Sequence, residues 1–205
     1  MNNNDYSGKL YVFSGPSGTG KSSIVKPILD SREDCTFSVS ATTRDKREGE
    51  EHGVNYYFVD RKTFTEMIDR NEFLEYAEYV NNLYGTPKKP VLEQLNNGKN
   101  VILDIEVQGA DQIKKQYPEA VLIFIVPPSL EELERRLINR GTDSSERIAQ
   151  RMDQAKREFS KINNYDYIVV NDVLEKAIKD ADSIISSQDY RYSRRNNEIM
   201  EAYKS

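Results

Sequence analysis

Eight consecutive residues near the start of the chain constrain its fold more than any other feature. They read Gly15-Pro-Ser-Gly-Thr-Gly-Lys21-Ser22 and match G-x-x-x-x-G-K-[ST] at every fixed position. The glycines allow successive backbone N–H groups to point into one concavity, which suits an anion. An apolar run at residues 10–13 precedes the motif, and an apolar helical pattern follows it over residues 24–29. This order of strand, glycine-rich loop and helix predicts a phosphate-binding loop in an α/β domain.

The motif assigns a chemical role to several of its residues. Lys21 is expected to reach the β- and γ-phosphates of a nucleotide, and the hydroxyl of Ser22 to ligate Mg²⁺. The helix that begins at the motif directs its positive end at the same phosphates. The predicted nucleotide-binding set on this loop comprises Gly15, Pro16, Ser17, Gly18, Thr19, Gly20, Lys21 and Ser22.

A second signal is an acid at the end of an apolar strand. The run Val101-Ile-Leu-Asp104-Ile-Glu106 contains two carboxylates. P-loop proteins hold Mg²⁺ or its water shell at such a position. A carboxylate in the turn after a strand is the alternative interpretation. Beside the phosphate loop, the pattern favours Asp104 on the metal side, directly or through water. Which of Asp104 and Glu106 serves the metal and which the second substrate stays open.

The composition excludes several classes of partner. The chain has 205 residues, of which 37% are hydrophobic and 31% charged, and this suits one domain with a substantial core. A formal net charge of −5 argues against nucleic acid or an anionic membrane, which need a broad basic face. Residues 1–7 lack a signal-peptide pattern, and the longest apolar run, 121–126, is too short to span a bilayer. We expect a cytoplasmic protein with small-molecule substrates, either monomer or homodimer.

The hydrophobic pattern predicts strands that alternate with helices. Strands are expected at residues 10–14, 36–40, 55–59, 101–105, 121–126 and 167–170. Helices are expected at residues 62–70, 90–97, 108–116, 129–139, from 145 onward and 174–188, with a polar helix at the C-terminus. Ser129-Leu-Glu-Glu reads as a capping box, and Pro27 is expected to bend or shorten the helix after the loop.

This alternation indicates a three-layer α/β architecture, a P-loop NTPase core with a parallel sheet. The stretch from about residue 36 to 88 interrupts this alternation of strands and helices, which predicts an inserted subdomain with a small mixed sheet. Residues 140–145 carry polar turn residues between two helices, which indicates the tip of a lid.

Further motifs resemble those of guanylate kinases, in the order and spacing of that family and over nearly the whole chain. They are Ser38-Val-Ser-Ala-Thr-Thr-Arg44-Asp-Lys-Arg47-Glu-Gly-Glu50, Gly53-Val-Asn-Tyr56, Phe73-Leu-Glu75, Tyr84-Gly-Thr86, Ile102-Leu-Asp-Ile-Glu-Val-Gln-Gly109 and Ile168-Val-Val-Asn171. The resemblance implies one domain over 1–205. Its parts would be a core at 1–35, 90–130 and 165–205, a mixed α/β GMP-binding subdomain at 36–89 and a helical lid at 131–164. It also implies transfer of the γ-phosphoryl group of ATP to GMP, with Mg²⁺ as cofactor.

The resemblance also implies roles for individual residues. A carboxylate at Glu75 can accept from N1–H and N2–H₂ of guanine, while a hydroxyl at Ser40 or Thr86 can donate to O6. The implied GMP-binding set is Ser40, Arg44, Arg47, Glu50, Tyr56, Glu75, Tyr84, Thr86, Asp104 and Glu106. The implied ATP-binding set adds Arg136 and Asn171 to the residues of the loop. The implied catalytic set is Lys21, Arg47, Arg140 and Arg151.

Other interpretations of these residues stay open. Arg44 and Arg47 also fit a solvated basic turn, and Arg140 and Arg151 fit a surface helix rich in glutamate. For the whole chain, the alternatives are another nucleoside monophosphate kinase and a related module that binds protein ligands. The complete phosphate loop disfavours the module. A GTPase switch is disfavoured because the sequence lacks an Asn-Lys-x-Asp motif.

Overall fold

A computed structural model describes residues 7–79, 81–139, 141, 144–191 and 203 of the chain. Three sequence predictions lie wholly or partly outside these residues: the side chain of Arg140, the lid tip at 140–145 and the polar helix at the C-terminus. None of the helices in the described ranges has the length and apolar character that a membrane span requires.

Strands and helices alternate along the described residues. The strands are β1 (Leu10–Ser14), β2 (Cys35–Phe37), β3 (Ala41–Thr42), β4 (Tyr57–Phe58), β5 (Phe73–Tyr79), β6 (Asn82–Pro87), β7 (Asn100–Asp104), β8 (Val121–Val126) and β9 (Tyr167–Val170). The α-helices are α1 (Lys21–Ser31), α2 (Arg61–Asp69), α3 (Lys88–Asn96), α4 (Val107–Gln116), α5 (Leu130–Asn139), α6 (Ser145–Phe159) and α7 (Leu174–Ser187).

The larger sheet is parallel and has the strand order β2-β7-β1-β8-β9. Both of its faces are covered, so alternate residues of one strand enter two different cores. Tyr11 and Phe13 of β1 pack with α1 and α7, whereas Leu10 and Val12 pack with α3 and α4. The predicted three-layer α/β core is therefore confirmed.

The smaller sheet is mixed and has the order β4-β3-β6-β5. Strands β3 and β4 are parallel, while β6 is antiparallel to both β3 and β5. Its core contains Ala41, Phe64 and Phe73, and the two phenylalanine rings stack with their centroids 4.4 Å apart. A mixed sheet was predicted here, but its antiparallel pair β5 and β6 was not, because polar residues and a glycine interrupt the strand pattern.

Two sequence predictions need correction in this part of the chain. The strand expected at 36–40 ends at Phe37, because the chain leaves the large sheet and joins the small one at Ala41. Pro27 does not shorten α1, which continues to Ser31 and is anchored by buried residues such as Ile24 and Ile28.

Helices α5 and α6 pack directly against each other. Leu133, Leu137 and Ala155 are buried between them, with Ile148, Met152 and Phe159 alongside, which confirms the predicted apolar stripe. Ser129 caps α5 as expected, because its Oγ accepts from the backbone N–H of Glu132 at 3.2 Å. The Glu132 carboxylate, however, accepts from Arg135 and Arg136 instead of closing the capping box.

Candidate active site

The glycine-rich loop connects β1 to α1 and adopts the backbone conformation that its glycines predict. Gly15, Gly18 and Gly20 have φ values of 140°, 99° and 88°, which L-residues with side chains rarely adopt. Thr19 tightens the loop, since its backbone N–H and its Oγ1 both donate to the carbonyl of Pro16, at 3.3 Å and 2.9 Å. The loop then leads directly into the first turn of α1 at Lys21.

Close contacts with the surrounding elements fix the loop in place. A Cβ on Gly15 would overlap the carbonyl of Ile125 in β8, and one on Gly20 would overlap the side-chain amide of Asn171. A Cβ on Gly18 would lie 3.0 Å from Cδ2 of Leu137 in α5. The loop therefore lies between the carboxyl ends of the strands and helix α5.

Lys21 and Asp104 meet because β1 and β7 are neighbours in the sheet. Lys21 Nζ donates to the carbonyl of Gly15 at 2.6 Å and lies 3.8 Å from Asp104 Oδ1. Ser22 Oγ donates to Asp104 Oδ2 at 3.5 Å. Burial raises the pKa of Asp104, and the charge of Lys21 opposes this shift. A hydroxyl and a carboxylate together supply the oxygen ligands that Mg²⁺ prefers, so this pair fits the implied metal.

Asn171 follows β9 and holds the loop from the side opposite Asp104. Its Nδ2 donates to the carbonyl of Thr19 at 2.8 Å. The backbone carbonyl of Asn171 accepts from Arg136 Nη2 at 2.8 Å, and Arg136 Nε donates to Glu132 Oε1 at 2.7 Å. Both residues predicted for the ATP side thus lie beside the loop, and they connect it to α5.

Helix α6 contributes an arginine to the same loop. Arg151 Nη1 donates to Ser17 Oγ at 3.2 Å, so one member of the predicted catalytic set already contacts the phosphate loop. Arg47 is exposed in the turn between β3 and β4. The structure therefore brings Lys21 and Arg151 together but leaves the side chain of Arg47 at the surface.

A second cationic site lies on the small sheet. Arg44 Nη2 donates to Glu50 Oε1 at 2.7 Å, and the backbone N–H of Arg47 donates to Glu50 Oε2 at 2.8 Å. The Arg44 guanidinium lies 5.5 Å from the ring centre of Tyr56, whose ring contacts that of Tyr84. Burial raises the pKa of Tyr56, and the charge of Asp104 adds to this shift. Arg44, Tyr56 and Tyr84 therefore cluster on the small sheet, whereas the side chain of Arg47 stays outside this cluster.

A buried carboxylate lies deeper on the small sheet. Glu75 of β5 is 4% exposed, and its Oε1 accepts from Thr86 Oγ1 of the neighbouring β6 at 2.6 Å. Burial raises the pKa of Glu75 to about 7, although the hydrogen bond from Thr86 opposes the shift. Ser40, the other predicted hydroxyl, is half-buried just before β3. Glu75 and Thr86 thus form a buried, hydrogen-bonded polar pair.

Two further carboxylates line a cleft of about 240 Å³ between β5, α4 and α6. Burial raises the pKa of Glu106, at the start of α4, to about 7. Glu158 of α6 is 6% exposed; its Oε1 accepts from Gln154, and Oε2 has no hydrogen-bond donor among the described atoms. Glu158 was missed from the sequence, although an acid three residues after Ala155 on an apolar helix face was a usable signal.

The parallel sheet and its glycine-rich loop define a P-loop nucleotide-binding protein, with a second polar site on the inserted sheet. A family model for guanylate kinase matches residues 7–188. The chain therefore belongs to the guanylate kinase family.

Individual relatives match the chain over nearly its whole length. It is 47% identical to guanylate kinase of Carboxydothermus hydrogenoformans over 195 residues, which are 95% of this chain and 96% of the relative. It is 51% identical to a guanylate kinase of Thermus thermophilus over 187 residues, 91% of this chain and 84% of the relative. The crystal structure of guanylate kinase from Anaplasma phagocytophilum superposes with a TM-score of 0.79 at 34% identity, covering 96% and 95% of the two chains.

Proposed function

We propose that this protein transfers the γ-phosphoryl group of ATP to GMP and releases ADP and GDP. The observation that carries the proposal is a phosphate loop next to a sheet that bears both an arginine site and the buried Glu75–Thr86 pair. The first site suits a nucleoside triphosphate, and the other two suit the phosphate and the base of a guanine nucleotide.

ATP binds on the loop from Gly15 to Ser22 in this proposal. The backbone N–H groups and Lys21 hold its phosphates, while Arg136 and Asn171 lie toward the nucleoside. Ser22 and Asp104 would hold Mg²⁺, which supplies charge neutralisation on the phosphate oxygens when it is bound. The described residues contain no group of three or more His, Cys, Asp and Glu side chains suited to a metal. The nucleotide phosphates would therefore complete the coordination.

GMP is recognised through its base on the small sheet. Guanine presents N1–H and N2–H₂ as adjacent donors, and the ionised carboxylate of Glu75 accepts from both. Because the hydroxyl proton of Thr86 is donated to Glu75, the hydroxyl of Ser40 is the donor to O6 while that bond persists. Adenine lacks an N1–H and carries an amino group at position 6, so the same buried groups would be left unsatisfied. Such a mismatch discriminates by roughly 10⁴-fold in sites built for hydrogen bonding.

The GMP phosphate binds at the arginine site. Arg44 and Arg47 grip it with paired N–H groups, and Tyr56 and Tyr84 add hydroxyl donors. Glu50 holds Arg44 in place, as its 2.7 Å hydrogen bond indicates. Asp104, beside Lys21 and Ser22, and Glu106, in the cleft between β5, α4 and α6, serve the metal and the nucleotide in this proposal.

Transfer needs no nucleophile from the protein. An oxygen of the GMP phosphate attacks the γ-phosphorus of ATP, the bond to the β,γ-bridging oxygen breaks, and ADP leaves. Lys21, Arg47, Arg140 and Arg151 stabilise the charge on the moving group. This chemistry assigns residues 36–89 to GMP binding, residues 131–164 to a lid and the remainder to the core. Closure of the first two parts would exclude water and prevent hydrolysis of ATP.

We place this reaction in the cytoplasm, where both nucleotides are available to the enzyme. A monomer and a homodimer are the two candidate assemblies. Light scattering after size-exclusion chromatography distinguishes them by mass.

One coupled assay tests the proposal directly. ADP production from ATP and Mg²⁺ is measured with AMP, GMP, CMP and UMP as acceptors under identical conditions. We expect turnover with GMP to exceed that with each other acceptor by roughly 10³-fold or more, because the base pocket rejects them. Equal turnover with AMP would overturn the assignment of GMP and favour another nucleoside monophosphate kinase.

A further inference from the structure

One glycine of helix α4 lies directly against the carboxylate of Glu75. A Cβ built on Gly109 would overlap Oε2 of Glu75 and lie 2.8 Å from its Cδ. Gly109 is the third residue of α4 and has an ordinary helical backbone, so helix geometry does not demand glycine there. The missing side chain instead leaves the space that the carboxylate occupies.

Two glutamines of the same helix hold the backbone of β5 on either side of Glu75. Gln112 Nε2 donates to the carbonyl of Tyr76 at 2.8 Å, and Gln112 Oε1 accepts from the N–H of Tyr76 at 3.3 Å. Gln116 Nε2 donates to the carbonyl of Leu74 at 2.9 Å. Since β5 is an edge strand of its sheet, these backbone groups have no neighbouring strand to pair with.

The three α4 residues share one face of the helix. Positions 109, 112 and 116 are spaced i, i+3 and i+7, the spacing that aligns side chains along a helix. This face therefore fixes both the backbone of β5 at Leu74 and Tyr76 and the space available to the Glu75 side chain. A register shift between β5 and β6 occurs beside Glu75, where the strand leaves regular pairing.

We infer that the α4 face formed by Gly109, Gln112 and Gln116 sets the position of the Glu75 carboxylate and thereby the selectivity for guanine. Gly109 determines specificity through the space that it leaves, and the two glutamines are positioning residues. The inference rests on the proposed function, because it concerns how the base site of that reaction is built.

The physical reason for this assignment is that the Glu75 carboxylate is confined between β6 and α4. Thr86 Oγ1 holds one oxygen of the Glu75 carboxylate from β6, and the backbone of α4 at Gly109 lies against the other. A methyl group at position 109 has to displace the carboxylate, which is the movable end of a side chain. A displaced carboxylate no longer aligns with two adjacent N–H donors, because hydrogen bonds weaken steeply with angle.

Inosine monophosphate provides a probe for this alignment. Hypoxanthine keeps N1–H and O6 but lacks the 2-amino group, so IMP offers the carboxylate one donor where GMP offers two. The wild-type preference for GMP over IMP therefore measures how well the second oxygen is placed. IMP has the same phosphate and ribose as GMP, so changes elsewhere in the acceptor site affect both substrates equally.

The decisive variant is Gly109→Ala, with Lys115→Ala on an exposed part of α4 as the matched control. We expect Gly109→Ala to lower kcat/KM for GMP by at least about 10-fold and to reduce the GMP/IMP preference by a similar factor. Its melting temperature should stay unchanged or rise, because alanine favours a helix more than glycine does. Lys115→Ala should match the wild type in every parameter.

A second variant, Gln112→Ala, tests the same inference if Gly109→Ala folds poorly. Gln112→Ala adds no volume and removes both hydrogen bonds to Tyr76, so it should also reduce the GMP/IMP preference. In the Glu75→Gln background, Gly109→Ala should have little further effect on that preference, because the discriminating carboxylate is already absent.

The outcomes separate this inference from the proposed function. If the wild type failed to phosphorylate GMP, the proposed function would be wrong, and the inference with it. If the wild type were active but Gly109→Ala and Gln112→Ala kept the wild-type GMP/IMP preference, the inference alone would be wrong. A loss of GMP and IMP turnover in equal proportion, with a lower melting temperature, would likewise overturn it, since that pattern reports general damage.

Discussion

Lys21 Nζ donates to the carbonyl of Gly15 at 2.6 Å while it lies 3.8 Å from Asp104 Oδ1. The ammonium group is thus held inside its own loop, with a carboxylate from the neighbouring strand close enough to balance its charge. Ser22, the next residue, also donates to Asp104. Because these contacts involve the loop and not the apolar core, the function and the stability of Lys21 variants should be separable.

Lys21→Ala should reduce phosphoryl transfer by about 100-fold or more, because it removes a cation that acts on the transferring group. Lys26→Ala, on an exposed face of the same helix, is the matched control and should retain full activity. The measurement is kcat from the coupled assay beside thermal unfolding of both variants. Turnover above about a tenth of the wild-type value in Lys21→Ala would contradict the role proposed for the loop.

Arg44 and Arg151 should affect different kinetic parameters. In the proposed function Arg44 holds GMP in the ground state, so Arg44→Met should chiefly raise KM for GMP. Arg151 contacts Ser17 of the phosphate loop and acts mainly on the moving group, so Arg151→Met should chiefly lower kcat. Calorimetric GMP binding and steady-state kinetics check both, with exposed Arg135→Met as control. Loss of GMP binding with unchanged kcat in Arg151→Met would refute the division.

Binding of GMP should weaken as the solution is acidified through neutral pH. The pKa of Glu75 is raised to about 7 by burial, so below that pH the carboxyl is mostly protonated in the free protein. Guanine needs the ionised form as acceptor of two N–H bonds, so binding must release a proton. Through this group alone, affinity should fall by about 10-fold between pH 8 and pH 6.

The same titration can be isolated with Glu75→Gln. The GMP phosphate also titrates near pH 6, but it contributes equally in the variant and in the wild type. Calorimetry in two buffers of different ionisation enthalpy should detect proton release at pH 7 in the wild type and less in Glu75→Gln. Equal proton release in both proteins would remove Glu75 from the base site.

Asn171→Ala should loosen the phosphate loop without removing a group that the chemistry uses. The Asn171 amide donates to the carbonyl of Thr19 and lies against Gly20, so its loss leaves the loop without that side contact. We expect KM for ATP to rise by roughly 5- to 50-fold, about 1–2.3 kcal/mol, the range for a lost buried hydrogen bond. KM for GMP should change little; a larger effect on GMP than on ATP would contradict this positioning role.

The parts of the fold that depend on a local sequence pattern could be predicted from the sequence. Continuous apolar runs identified β1, β7 and β8, because strands buried on both faces carry few polar residues. The edge strand β9 was found by the same pattern, although Ile168 and Val170 are exposed. The glycine-rich loop was readable for a similar reason, since its backbone requires glycine at fixed positions. Strands β1, β8 and β9 have the predicted bounds, whereas β7 and most of the predicted helices shift by one or two residues at an end, as element ends commonly do.

Contacts between distant segments of the chain could not be predicted from local sequence patterns. The hairpin of β5 and β6 was missed because its strands carry functional residues such as Glu75 and Thr86 where apolar ones would mark a strand. Gly109 was visible only as part of a motif, since its role depends on Glu75, 34 positions earlier in the chain. Asn171 was predicted beside ATP, but its bond to Thr19 joins segments that the sheet order alone brings together.

In the proposed acceptor site, the carboxylate of Glu50 competes with an incoming phosphate for the guanidinium of Arg44. An anion that binds both Nη groups of Arg44 has to compete with Glu50 and with the backbone carbonyl of Asp45, each at 2.7 Å. Inorganic phosphate gains only its own bonds to the arginine, whereas a nucleotide also contributes the binding free energy of its base. We therefore expect the arginine site to bind inorganic phosphate more weakly than a nucleotide that also fills the base site.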